Sequence, residues 1–122
     1  MAQLATLTAD PSADEPAIDR GHLALMTFGD RSLERELLEL FDRQASMLIA
    51  RMRASDAAAV ATLAHTLKGS ASGIGAGEVA RAARAAELAA GGAAAECSAA
   101  IDRLAAAIEE ARALIAELLC AL

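Results

Sequence analysis

One short stretch of this 122-residue chain combines residue types that could do chemistry, since residues 64–71 read AHTLKGSA. The imidazole of a histidine is a nucleophile near neutral pH, which makes His65 a candidate to carry a transferred group. Lys68, the only lysine in the chain, follows one helical turn later, where its ammonium could neutralise a phosphoryl group on that imidazole. Gly69 removes a side chain where a second molecule would have to come close. The stretch indicates a nucleophile, a cation and open space at one surface.

A helical wheel places His65 on the outside of its helix. At about 100° per residue, Val60, Leu63, Leu67 and Ile74 fall on the opposite face, which we expect to be buried. With the exception of the lysine, the residues nearest to His65 on the wheel are all small: Ala58, Ala61, Gly69 and Ser72. A solvated face normally carries long charged side chains. The bare surface therefore favours a site where another protein docks.

The composition predicts that helices position these residues. The chain contains 35 alanines and no tyrosine or tryptophan. Alanine and leucine favour helices, whereas strands are enriched in β-branched and aromatic residues. A sheet-rich fold is therefore excluded.

Apolar repeats divide the chain into five helices. Ile18, His22, Leu25 and Met26 predict a short amphipathic helix, and longer helices are expected at about 32–53, 56–72, 78–90 and 95–122. Ser55 or Asp56 could cap the third of these five helices. The apolar face of the second helix is marked by Leu33, Leu37, Leu40, Phe41 and Leu48. The last helix repeats in steps of three and four residues through Ile101, Leu104, Ile108, Ala111, Ile115, Leu118 and Leu122.

The predicted fold class is all-α, an antiparallel four-helix bundle with a short extra N-terminal helix. This bundle domain would occupy residues 17–122. Residues 1–16 contain two proline-bearing turn patterns and no apolar period, so they are interpreted as a flexible N-terminal tail.

Charge and hydropathy exclude several classes of function. The net charge of −6 and the lack of a basic cluster argue against nucleic acid as a partner. The longest stretch without charged residues, 57–67, has eleven residues, whereas a membrane-spanning helix needs about 20. The N-terminus does not resemble a signal peptide, so the chain is expected to stay in the cytoplasm.

The cysteines and histidines do not suggest a metal or cofactor site. Cys97 and Cys120 form no Cys-x-x-Cys motif, and in the cytoplasm we expect them to be reduced thiols that fill the core. His22 and His65 are too far apart in sequence for a helical ligand pair. We expect no cofactor on this chain, and we interpret His22 as a partly buried, hydrogen-bonded or rim residue.

A glycine motif at residues 69–75, GSASGIG, matches the nucleotide loop of short-chain dehydrogenases. That loop requires a buried strand before its first glycine. Here the preceding residues follow a helical pattern, and the chain is too short for a doubly wound sheet. A dinucleotide site is therefore not predicted.

The AHTLKGSA stretch, followed by Gly75-Ala76 and an alanine-rich helix that carries Glu87, resembles the histidine-containing phosphotransfer (HPt) domain family. The resemblance extends more loosely over residues 17–122 and includes the LLELF stretch at 37–41. It implies a four-helix bundle whose exposed histidine accepts a phosphoryl group from a receiver-domain aspartate and relays it to another receiver.

The resemblance also implies roles for individual residues. His65 would be the phospho-acceptor and Lys68 the charge partner of the phosphoryl group. Gly69 would be the position where the lack of a side chain lets the partner protein approach. Glu87 would bind the second ring nitrogen of His65 and orient the ring. Gly73 stands where family members commonly carry asparagine.

The partners implied are receiver domains of a hybrid kinase or response regulator, which would bring their own Mg²⁺. The sequence shows no ATP-binding segment, so we expect a phosphoryl carrier and not a kinase or other enzyme. The alternative is a helical adaptor or oligomerisation module without phosphoryl chemistry. The presence of both His65 and Lys68 favours phosphoryl transfer.

Overall fold

The computed structural model describes residues 16–121, and this range contains five α-helices and no strand. The helices are α1 (Arg20–Thr27), α2 (Arg31–Arg53), α3 (Ala57–Ile74), α4 (Gly77–Ala89) and α5 (Ala94–Ala121). The all-α prediction is confirmed. Residues 1–15 of the predicted tail, and the heptad position predicted at Leu122, lie outside the described residues.

Aspartate side chains begin the first three helices. Oδ1 of Asp19, of Asp30 and of Asp56 accepts hydrogen bonds of 2.9–3.2 Å from backbone N–H groups in the first turn of α1, α2 and α3. Such caps satisfy N–H groups that have no partner inside the helix. Of the two caps predicted for α3, Asp56 is the one used. The hydroxyl of Ser55 instead donates to the carbonyl of Arg51 at 2.6 Å.

The four long helices form a closed ring around one core. Each of α2, α3 and α4 packs against the next helix, α5 packs back against α2, and α1 lies against α2 and α3. The antiparallel course of neighbouring helices, which links of two to four residues favour, stays a prediction. The largest fully buried side chains are Phe41, Ile18, Leu38, Met52, Leu67, Leu104, Ile108, Ile115, Val79 and Thr27.

The predicted apolar face of α5 is confirmed over the described residues. Its seam is buried at Ile101, Leu104, Ile108, Ala111, Ile115 and Leu118. Cys97 packs half-buried against the core, as expected for a small filler. Cys120 is exposed, so the same prediction was wrong for that residue, which lies off the seam.

The apolar face predicted for the first helix was confirmed at Ile18, which is buried, and wrong at Leu25 and Met26. Leu25 and Met26 are 76% and 50% exposed, while Leu23 and Thr27 turn inward. The buried Thr27 hydroxyl donates to the carbonyl of Leu23 at 2.9 Å. Because this bond satisfies its hydroxyl, a threonine can occupy a core position that the apolar repeat did not mark.

The predicted face of α2 is rotated by about one residue. Its buried residues follow steps of three and four: Leu38, Phe41, Ala45, Leu48 and Met52. Leu40, expected inside, is 52% exposed, and Leu33 and Leu37 are half-buried. The helix carries more leucines than one buried stripe can hold, so part of them remain at the surface.

The corner between α3 and α4 depends on Gly75. The helix continues through Gly73 to Ile74, two residues beyond its predicted end, and stops where Gly75 adopts a φ of 80°. The Gly75 carbonyl accepts a 2.8 Å hydrogen bond from the N–H of Asp19. A Cβ at position 75 would lie 2.9 Å from the Asp19 carbonyl oxygen. Glycine thus fixes both the helix end and the approach of the segment before α1.

Candidate functional site

The α3 helix presents His65 to solvent, as the wheel predicts. The His65 side chain is 67% exposed, whereas its neighbour Ala64 and the nearby Leu67 are fully buried. Leu63, expected to be buried with them, is half-buried. The buried stripe of α3 runs through Ala64 and Leu67 to Ile74, which leaves Leu63 at its edge.

Glu87 on α4 contacts both His65 and Lys68 on α3. Its Oε2 lies 3.0 Å from Nδ1 of His65, and its Oε1 lies 3.1 Å from Nζ of Lys68. The structure therefore brings together the three residues predicted for the site. The pair between Lys68 and Glu87 was not predicted, because it depends on how far α4 is shifted along α3.

The carboxylate of Glu87 sets the proton on the His65 ring. The hydrogen bond from Lys68 holds the pKa of Glu87 below its ordinary value of 4.5; partial burial opposes this shift, and the bond to His65 supports it. Glu87 is consequently ionised at neutral pH and can only accept hydrogen bonds. Nδ1 of His65 must then carry the proton in this contact, and in the neutral form of the ring the lone pair lies on Nε2.

The surface around His65 is bare, although not uniformly exposed. Ala58, Gly69 and Ser72 are exposed, and Ala61 is half-buried against the core. A Cβ built at Gly69 would meet nothing within 4 Å. The fold itself does not require glycine there, and the missing side chain leaves the surface beside His65 open.

The sequence patterns did not reveal an apolar groove where α1, α2 and α3 meet. It has a volume of about 210 Å³ and is lined by Met26, Leu37, Leu40, Phe41, Gln44, Ser70, Gly73 and Ile74. Leu40 and Met26 are each at least half exposed at its rim. The available signal was the excess of leucines in the LLELF stretch, more than a single buried stripe of α2 can use.

The second histidine differs from His65. His22 is half-buried, as expected, and its Nε2 is buried without a hydrogen-bond partner among residues 16–121. The ring hydrogen bond considered for this residue is therefore not seen at Nε2.

None of the five helices between residues 16 and 121 is both long enough and apolar enough to cross a membrane. Over the same residues, no group of three or more histidine, cysteine, aspartate or glutamate side chains is arranged to hold a metal ion.

Comparison with known proteins identifies the family. A family model described as Hpt domain matches residues 35–114, a range that contains His65, Lys68 and Glu87. No curated protein and no solved structure matches the chain significantly. Hpt domains are histidine phosphotransfer carriers of phosphorelays and are not kinases. Since the matched range spans 80 of the 122 residues and the structure is a helical bundle, the chain belongs to the Hpt domain family.

Proposed function

We propose that this protein accepts a phosphoryl group on Nε2 of His65 from the aspartate of one receiver domain and relays it to the aspartate of another. One observation carries the proposal more than any other. The exposed imidazole of His65 has its Nδ1 held 3.0 Å from an ionised carboxylate, which leaves Nε2 as the free nucleophile.

The transfer step needs only a nucleophile from this chain. The Nε2 lone pair forms a bond to phosphorus, the P–O bond of the aspartyl phosphate breaks, and its electron pair stays on the aspartate oxygen. The Nδ1 proton remains in place, so the phosphorylated ring is formally cationic. The carboxylate of Glu87 stabilises this charge as it forms. Reversal of the same step delivers the phosphoryl group to a second aspartate.

Lys68 supplies positive charge for the phosphoryl oxygens. It lies one helical turn from His65 on the same face of α3, within reach of a group on Nε2. Phosphoryl transfer depends mainly on positioning and on stabilisation of charge. The receiver would bring its aspartate and Mg²⁺, so no cofactor on this chain is required. A cytoplasmic location is part of the same proposal, because receiver domains would meet the protein there.

The docking surface in this proposal combines the bare face with the apolar groove. Ala58, Ala61, Gly69 and Ser72 let a receiver backbone approach His65. The groove beside them supplies apolar area that gains free energy when water leaves it, at about 25 cal/mol per Å². The groove also favours the alternative, a helical adaptor that docks partners without chemistry.

A phosphorylated receiver separates these two functions. Incubation with a ³²P-labelled receiver should give an acid-labile, alkali-stable label on this protein. The label should persist in His22→Ala and vanish in His65→Ala, with helicity by circular dichroism unchanged in both. If the receiver binds but the wild-type protein never acquires label, the adaptor function replaces the carrier function.

A further inference from the structure

The ammonium of Lys68 already has an ion-pair partner in the unphosphorylated protein. Its ammonium lies 3.1 Å from Oε1 of Glu87, and the two side chains are only 28% and 29% exposed. In the proposed function the same ammonium must bind the phosphoryl oxygens. The carboxylate and the phosphoryl group therefore compete for one cation, the only lysine of the chain.

We propose that Glu87 is a positioning residue that forms an ion pair with Lys68 in the unphosphorylated protein. When His65 becomes phosphorylated, Glu87 releases Lys68 to the phosphoryl group. The proposal rests on the function argued above and adds a step to it. Glu87 keeps its contact with Nδ1 of His65 throughout. Only the Lys68 contact is exchanged.

The charges at the site favour this exchange. Before transfer, the carboxylate of Glu87 and the ammonium of Lys68 neutralise each other beside the nucleophilic form of the ring, which is neutral. After transfer, the ring that retains its Nδ1 proton is cationic and replaces Lys68 as the cation on Glu87. The dianionic phosphoryl group then attracts Lys68 more strongly than a single carboxylate does. Each anionic group ends beside one cation.

The geometry allows the exchange without movement of the backbone. His65 and Lys68 are three residues apart on α3 and therefore lie on one face of the helix. The lysine side chain has a flexible four-carbon stem, so its ammonium can leave Oε1 of Glu87 while the helix stays in place. Oε2 is a separate atom, and its bond to His65 does not depend on the one that breaks.

A glutamine at position 87 could not do the same. A carboxylate offers two acceptor oxygens, one for each of the two donors. A carboxamide offers one acceptor oxygen, and its NH₂ group would face the second donor. Glu87→Gln removes the negative charge and one acceptor oxygen, so it should weaken or break the Lys68 contact in the unphosphorylated protein, whichever way the amide faces. Glu110→Gln, the same change at an exposed glutamate of α5, is a matched control.

Because Lys68 is the only lysine, NMR of protein labelled with ¹³C-lysine reports on this side chain alone. The full chain is phosphorylated chemically with phosphoramidate, and ³¹P NMR confirms the modification of His65. We expect the single Cε–Hε signal of the wild type to move when the phosphoryl group is added. Glu87→Gln should move the signal before phosphorylation, and Glu110→Gln should leave it in place. In His65→Ala, phosphoramidate should not move it.

Two results would overturn the exchange. One is a wild-type lysine signal that stays within its linewidth after His65 is fully phosphorylated. The other is a Glu87→Gln protein whose unphosphorylated signal coincides with that of the wild type. Phosphoramidate acts without a receiver, so either result tests the exchange independently of the relay. A receiver that fails to label His65 would instead overturn the relay.

Discussion

Oε2 of Glu87 lies 3.0 Å from Nδ1 of His65, although 22 residues and a helix corner separate the two in the chain. The contact exists because Gly75 ends α3 and α4 returns alongside it. In the proposed function, this contact fixes the tautomer of the ring and so makes Nε2 the nucleophile.

Replacing Lys68 by alanine should slow phosphoryl transfer without abolishing it. Donors that stabilise charge in enclosed enzyme sites are worth about 100- to 1000-fold in rate. Lys68 is partly exposed, so we expect a loss of about 10- to 50-fold. Rapid-quench measurement of transfer from one phosphorylated receiver gives the rate. A loss as complete as that of His65→Ala would assign Lys68 a role beyond charge stabilisation.

Glu87→Ala should have the smallest effect of the three site variants. The carboxylate does not bond to phosphorus, and the His65 ring keeps its nucleophilic nitrogens when the carboxylate is lost. The expected order of damage is His65→Ala, then Lys68→Ala, then Glu87→Ala, in the same transfer assay. A Glu87→Ala rate below that of Lys68→Ala would contradict this order.

The ion pair of Glu87 predicts a specific dependence of stability on pH. The pKa of Glu87 is lowered in the folded protein, chiefly by the hydrogen bond from Lys68, from an ordinary 4.5. A lowered carboxyl pKa contributes stability that is fully present above the unfolded pKa and is lost as pH falls through the folded pKa. The difference in unfolding free energy between wild type and Glu87→Gln should therefore be constant above about pH 5.5 and shrink below it.

Chemical denaturation at several pH values measures this difference, with Glu110→Gln as the matched control. A difference lost already between pH 7 and about pH 5.5 would require a raised pKa for Glu87, opposite to the sign derived from its partners.

Larger side chains at Gly69 should block the partner and spare the fold. The position is helical and open, so Gly69→Ala should stabilise the protein by about 0.5–1 kcal/mol. Transfer from a receiver should nonetheless fall from glycine to alanine and further to Gly69→Gln. Ala113→Gln, an exposed change on α5, should leave the rate unaltered. Equal rates across the Gly69 series would remove this residue from the docking surface.

Gly75→Ala should destabilise the fold. Alanine would have to adopt a φ of 80°, and its Cβ would press on the Asp19 backbone at 2.9 Å. Such strain costs on the order of 1–3 kcal/mol, so we expect about 2 kcal/mol less stability by urea unfolding. Gly91→Ala is a suitable control, because that glycine has an ordinary φ and open space around its Cα. Equal stabilities of the two variants would contradict the role given to Gly75.

The buried residues of a helix could be predicted from the sequence where the helix has a single apolar stripe. The α5 helix offers one seam, from Ile101 to Leu118, and that seam is buried as predicted. The α2 helix has leucines on several adjacent stripes, and only packing against α3 and α5 decides that Leu38 is buried while Leu40 is exposed. In α1, the burial of Thr27 depended on a local hydrogen bond that hydropathy does not register.

The residues of the candidate site could be predicted from the sequence, whereas some of the contacts among them could not. The exposure of His65 follows from the wheel, and the contact with Glu87 followed from the family resemblance. The Lys68–Glu87 pair depends on the axial register of two helices. Similarly, the apolar groove exists only where α1, α2 and α3 meet, so no single helix pattern could mark it.

The position of phosphorus on the ring tests the central claim most directly. After transfer from a phosphorylated receiver, ¹⁵N and ³¹P NMR of histidine-labelled protein identifies the nitrogen that is bonded to phosphorus. The contact between Glu87 and Nδ1 predicts a single phosphoryl group on Nε2 of His65, with Nδ1 still protonated. Phosphorus on Nδ1 of His65, or on His22, would contradict the account.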